Sequence, residues 1–126
     1  MLKGFIFITA LLPLVAWAQK APNCSGGQAQ ANICAARQLE AVDAQLSRIY
    51  EGQLKRLRNE WSIRGLQEAQ QAWIAFREKD CEYDASATKG GSGHSQWVSV
   101  CMTRHTKRRI EDMRKFQKCE ENGCPW

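Results

Sequence analysis

Between residues 23 and 124 the chain has no proline. Nothing in that stretch therefore breaks a helix through a missing N–H. There is no Cys-x-x-Cys pair, and only two histidines, His94 and His105, occur in 126 residues. A zinc site and a thioredoxin-type redox site both lack their ligand spacing, and no metal or cofactor is expected. No run of useful length alternates apolar and polar residues, so strands are not expected. The length excludes a Rossmann enzyme or an α/β barrel, which take roughly 200 residues or more. What is present is 44% apolar residues, with 9 Gly and 3 Pro. That is too apolar for a disordered chain and too poor in Gly and Pro for a fibrous one.

The first residues read as an export signal. Met1-Leu2-Lys3 is a short positive start, Gly4 to Val15 is apolar, and Ala16-Trp17-Ala18 puts small residues where a signal peptidase cuts. The apolar run is too short for a stable membrane span. The expected organisation is a secretory signal peptide over 1–18 and a single helical domain over 19–126, with a short Cys-containing tail. No membrane span is expected after cleavage. Cleavage removes Lys3 and lowers the formal charge of +5 by one.

Export changes how the six cysteines read. Cys24, Cys34, Cys81, Cys101, Cys119 and Cys124 all follow the cleavage point. An even count in a short exported chain points to disulfides, with 15 pairings open on sequence alone.

The domain itself reads as helices. Leu39, Val42, Leu46, Tyr50, Leu54, Leu57 and Trp61 recur at steps of three and four, predicting a first helix from about Ala29 to Glu60. Ser62 and Gly65 mark a turn. A second helix carries Leu66, Ala69, Trp73, Phe76, Asp80 and Tyr83 on one side. Lys89 to Ser95, rich in glycine, reads as a loop. A third helix runs from near Gln96 to about Lys118, with Cys101, Met102, His105, Arg109, Met113 and Phe116 on one side. The expected fold is all-α: a small, disulfide-stapled, up-down-up helical bundle of about three helices.

That layout sorts the cysteines. Cys24, Cys34, Cys81 and Cys101 fall at one end of the bundle and Cys119 and Cys124 at the other, far beyond the roughly 7 Å that a disulfide spans between Cα atoms. Cys119–Cys124 then closes on itself, and three pairings remain for the other four. Cys81–Cys101 is favoured, stapling the second helix to the third, and Cys24–Cys34 then tethers the entry to the first.

No catalytic constellation converges. His94 lies in the predicted loop, His105 on the predicted buried side of the third helix, and the cysteines read as oxidised. Glu78/Glu82 and Asp80/Asp84 are i,i+4 pairs on the second helix, without a cleft to split their pKa values; they read as a hydrated acidic face. The basic run Arg104, Lys107, Arg108, Arg109, Arg114, Lys115, Lys118 has the electrostatic character of a nucleic-acid binder, but an exported chain does not meet cytoplasmic nucleic acid. It reads as a solvated helix face partly neutralised by Glu111 and Asp112. Neither an enzyme nor a nucleic-acid partner is expected. Trp73, Arg77 and Cys81 stack at steps of four, with Asp80 beside them. Arg109, on the buried side of the third helix, needs a carboxylate or several carbonyls, and Asp80 is its expected partner, with Arg77 competing.

The segment Ala69-Gln70-x-Ala72-Trp73-Ile74-x-Phe76-Arg77-Glu78-x-Asp80-Cys81 resembles the signature of the lysozyme inhibitor LprI-like N-terminal domain family. In the same order, Asn32-x-Cys34-Ala35, Gly90-Gly91-Ser92 and Cys101-Met102-x-x-His105-Thr106-x-x-Arg109 resemble that family's flanking motifs. The similarity spans about Cys24 to Phe116. The resemblance implies an exported helical domain, periplasmic or secreted, that inhibits lysozyme or another peptidoglycan hydrolase without cofactors or catalytic residues of its own. The alternative is an immunity or binding module for a different secreted toxin or envelope component. For a partner surface, the loop from Gly90 to Trp97 offers an aromatic anchor in Trp97 and a polar tip in His94. The acidic residues Glu78, Glu82 and Asp84 lie beside it and could meet a basic enzyme locally.

Overall fold

A computed structural model describes residues 23–119. The signal sequence expected over 1–18, and Cys124 with the tail, lie outside the described residues. Three helices account for most of the rest: α1 (Gln28–Arg56), α2 (Glu60–Asp84) and α3 (His94–Gln117), with one 3-10 turn at Ser86–Thr88. No strand occurs among the described residues.

The α1–α2 break comes earlier than Ser62 and Gly65 suggest. Leu57 is extended (φ −72°, ψ 137°), and Asn59 caps α2 by accepting a 2.7 Å hydrogen bond from the Ser62 backbone N–H. Glu60 in the first turn of α2 and Lys55 and Arg56 in the last turn of α1 complement the two helix dipoles. Ser62 and Gly65 therefore lie inside α2, and α1 ends at Arg56 rather than Glu60. A side-chain cap decided the boundary, and a single glycine did not: the cap satisfies an otherwise orphaned N–H, whereas one helical glycine costs only about 1 kcal/mol.

The glycine-rich connection is also shorter than expected. Thr88 donates its hydroxyl hydrogen bond to the Ala85 carbonyl, Gly91 N–H reaches Thr88 O, and Gly90 takes a left-handed φ of 84°. These turns bring the chain into α3 at His94, two residues before Gln96. His94 and Trp97 thus stand on the first turn of α3 and not in a flexible loop.

The up-down-up course is direct. α1 and α3 run parallel and share most of the helix–helix contact. At one end Asn32 Nδ2 donates to Ser92 O (2.8 Å), and at the other Arg56 Nη1 donates to Gln117 O (2.7 Å). α2 runs antiparallel against α3 and meets α1 much less. Leu46, Ile110 and Met113 form the core, with Val42, Ile49, Leu66, Trp73 and Phe116 packed on it. Because α3 is covered from two sides, Thr103 and Thr106 are buried along with Cys101, Ile110 and Met113. Met102, His105 and Phe116, expected on the buried side, are only half covered.

Both favoured disulfides are present. Cys24–Cys34 joins Cα atoms 5.8 Å apart, and Cys81–Cys101 joins Cα atoms 5.5 Å apart. Cys119 is also disulfide-bonded; its expected partner, Cys124, is outside the described residues.

Candidate functional site

The residues of the α2 motif assemble into a polar junction inside the bundle. Arg77 Nη1 lies 2.6 Å from Asp43 Oδ1 on α1 and 2.7 Å from Thr106 Oγ1 on α3. Thr106 is fully buried, and its hydroxyl, having accepted from Arg77, has one hydrogen to give; Asp43 Oδ1 (3.0 Å) and Met102 O (2.9 Å) are both in reach. One cation thus ties three helices together. Trp73, one turn earlier on α2, lies between two guanidinium groups, 5.0 Å from that of Arg77 and 5.8 Å from that of Arg109. Both distances are in cation–π range.

Arg109 does not pair with Asp80. Its Nε donates to Gln70 Oε1 at 3.1 Å, and Asp80 Oδ2 instead lies 2.9 Å from His105 Nε2. Phe76 meets the His105 ring edge-on at 5.7 Å. The expectation failed because Arg109 is one helical turn past His105, and on an antiparallel partner that turn faces Gln70 and Trp73 rather than Asp80. Burial lowers the Arg109 pKa, with Asp112 opposing the shift.

Asp43 was not singled out in the sequence, although the signal was there. It falls on the apolar stripe of α1, four residues after Leu39 and three before Leu46. A charge on such a stripe needs a buried partner.

The end of the bundle near the Cys81–Cys101 staple holds the residues expected to meet a partner. His94 is half-buried: its Nδ1 is 3.1 Å from Thr88 Oγ1 and its Nε2 is 3.4 Å from Glu82. Asp84 pairs with Arg104 at 3.1 Å. Glu78 and Glu82, with Lys79 and Met102, surround a shallow depression. Trp97 is 57% exposed, and Tyr83, beside the acidic residues on α2, is 80% exposed. The structure brings His94 and Glu82 together, and leaves Trp97 a surface aromatic rather than a core residue.

Cys81, Cys101 and His105 place their potential ligand atoms within 4.8 Å of one another. The two sulfurs are bonded to each other, so neither is a thiolate and the trio is not a ligand set. No described helix is long and apolar enough to cross a membrane.

The family model described as Lysozyme inhibitor LprI matches residues 19–113. A curated but uncharacterized protein of Rhizobium meliloti (strain 1021) is 27% identical over 118 residues, covering 82% of this chain and 85% of that protein. No solved structure matches. With the family model spanning most of its length, and the family's motif residues forming the junction of its three helices, the chain belongs to the LprI lysozyme inhibitor family.

Proposed function

We propose that the protein is exported to the periplasm or beyond and blocks a lysozyme, or a related peptidoglycan hydrolase, by binding it. Membership of the LprI family is the observation that carries this reading. Export is supported by the signal-like pattern of residues 1–18, by a family match that starts at residue 19, and by the disulfides. Inhibition by binding agrees with the architecture, in which the motif's polar residues are spent on joining helices.

The surface proposed for the partner is the stapled end. A bundle is convex and a glycosidase cleft is concave, so a protruding end must enter it. Trp97 and Tyr83 are the exposed aromatic residues of that end, and Glu78, Glu82, Asp84 and His94 are its polar groups. The chain is net positive, and many animal lysozymes are basic. Attraction must therefore come from this local acidic group rather than from net charge. The Cys81–Cys101 bond fixes the end and limits the ordering entropy of binding.

Capture on the immobilised, oxidised protein tests the reading. Purified lysozyme should be retained and released by salt, since acidic contacts weaken as ionic strength rises. Failure to retain any lysozyme class would remove the proposed target and favour a different toxin or envelope component.

A further inference from the structure

At the end of the bundle away from the two mapped disulfides, the last turns of α1, the first turns of α2 and the last turns of α3 surround a half-open hollow of about 270 Å³. Its walls are largely apolar: Leu57, Leu66, Ala69 and Phe116. Gln53 also lines it, but both polar atoms of that side chain are buried and do not face the opening. Trp61 lines the hollow too and is 83% exposed, the one large apolar side chain left in solvent at this end among the described residues. An indole in water beside an uncovered apolar hollow is surface whose burial would stabilise the protein.

The chain that follows α3 starts against this hollow. α3 ends at Gln117, and the Cys119 N–H donates to the carbonyl of Phe116, a wall residue, at 3.3 Å. Cys119 is disulfide-bonded, and Cys124 is its expected partner. Such a bond keeps the two Cα atoms within about 7 Å, and two further residues add at most about 7 Å. Trp126 is thereby confined to this end, since the start of α3, 24 residues back, is about 36 Å away.

The composition of the segment suits the hollow. Trp126 supplies apolar area, and Pro125 has no N–H for apolar walls to leave unpaired. Glu120 and Glu121 bring negative charge to an end where Arg58 and Arg64 are exposed and form no ion pair among the described residues. Tethering gives the segment an effective concentration on the order of millimolar, which favours it over a second copy of the chain as the occupant.

We propose that residues 120–126 fold back over this hollow, with the Trp126 indole seated among Leu57, Leu66, Phe116 and Trp61 and the Cys119–Cys124 bond fixing the return. The contact lies at the opposite end of the bundle from the proposed partner surface and does not rest on that reading.

The test is NMR on the isotope-labelled, oxidised protein. Nuclear Overhauser contacts should join the Trp126 ring to the Leu57 and Leu66 methyl groups and persist unchanged on dilution. Trp126→Ala should move the Trp61 indole N–H signal and lower the melting temperature by about 4 °C or more. From the other side of the contact, Ala69→Glu, at an exposed position, should keep the fold and abolish the Trp126 contacts. Replacing Cys119 and Cys124 together by Ser should weaken those contacts while leaving the two other disulfides formed. Absence of the contacts in the wild-type protein, a melting temperature unmoved by Trp126→Ala, or contacts that survive Ala69→Glu would overturn the proposal. Contacts that fade on dilution would assign the hollow to a second copy, and overturn it likewise.

Discussion

Arg77 Nη1 and Asp43 Oδ1 are 2.6 Å apart, in a bundle where α1 and α2 otherwise touch little. The pair therefore does more than neutralise a buried cation. It is the main polar tie between the two helices, and Thr106 extends it to α3. Breaking a buried pair by removing one partner costs about 3–5 kcal/mol. The Asp43 side chain is 37% exposed, so water replaces part of what is lost. Asp43→Ala should lower the unfolding free energy by about 2–4 kcal/mol. Urea unfolding measures it; a loss under about 0.5 kcal/mol, the usual range for surface changes, would mean that the tie is not used.

The two mapped disulfides should contribute unequally. Cys81–Cys101 closes a separation of 20 residues between two packed helices, and replacing both cysteines by Ala should cost about 3 kcal/mol in the chain-entropy view. Cys24–Cys34 spans 10 residues and tethers an exposed entry segment, where less packed structure depends on it. Its removal should cost about 1 kcal/mol, well short of the chain-entropy figure. Thermal unfolding of the two double variants gives the order; a larger loss for Cys24–Cys34 would contradict it.

The Asn59 cap should hold the α1–α2 corner. Asn59→Ala removes the acceptor for the Ser62 N–H and should destabilise by about 1 kcal/mol. Hydrogen exchange should show the loss first at the start of α2. Unchanged protection of the Ser62 amide would mean that the cap is not what ends α1.

How far the sequence disclosed this molecule follows from the range of the interactions. The helices and the bundle were legible because apolar residues such as Leu39, Leu46 and Leu54 recur at helical period, a local signal. The layout narrowed the cysteines to three pairings at one end of the bundle, and the favoured one, with Cys81 bonded to Cys101, is the one present. The boundary at Asn59 was missed because the apolar stripe continues through Leu57 to Trp61 and hides the cap. The start of α3 at His94 was missed because glycines read as loop even where the chain turns tightly. The partner of Arg109 was missed for a different reason. Choosing Gln70 over Asp80 needs the register between two antiparallel helices, and a shift of one turn changes every cross-helix pair. Gln53 gave no signal at all, since a glutamine on a helix is ordinarily exposed.

At the stapled end, Trp97→Ala should leave stability within about 0.5 kcal/mol, because the residue is more than half exposed, and should weaken inhibition at least about tenfold if Trp97 is the central anchor. His94→Ala should weaken it less, since His94 is held by Thr88 and Glu82. Full inhibition by both folded variants would move the contact to the acidic face of α2, around Glu78 and Glu82.

The central claim is that this member of the LprI family inhibits a peptidoglycan hydrolase. The most direct measurement is a dose–response of wall lysis with the oxidised protein against lysozymes of several classes. Saturable loss of activity against at least one class, reaching completion near a one-to-one ratio when the enzyme concentration exceeds Kd, is the predicted result. Undiminished lysis in every class, from protein shown to be folded and disulfide-bonded, would contradict it.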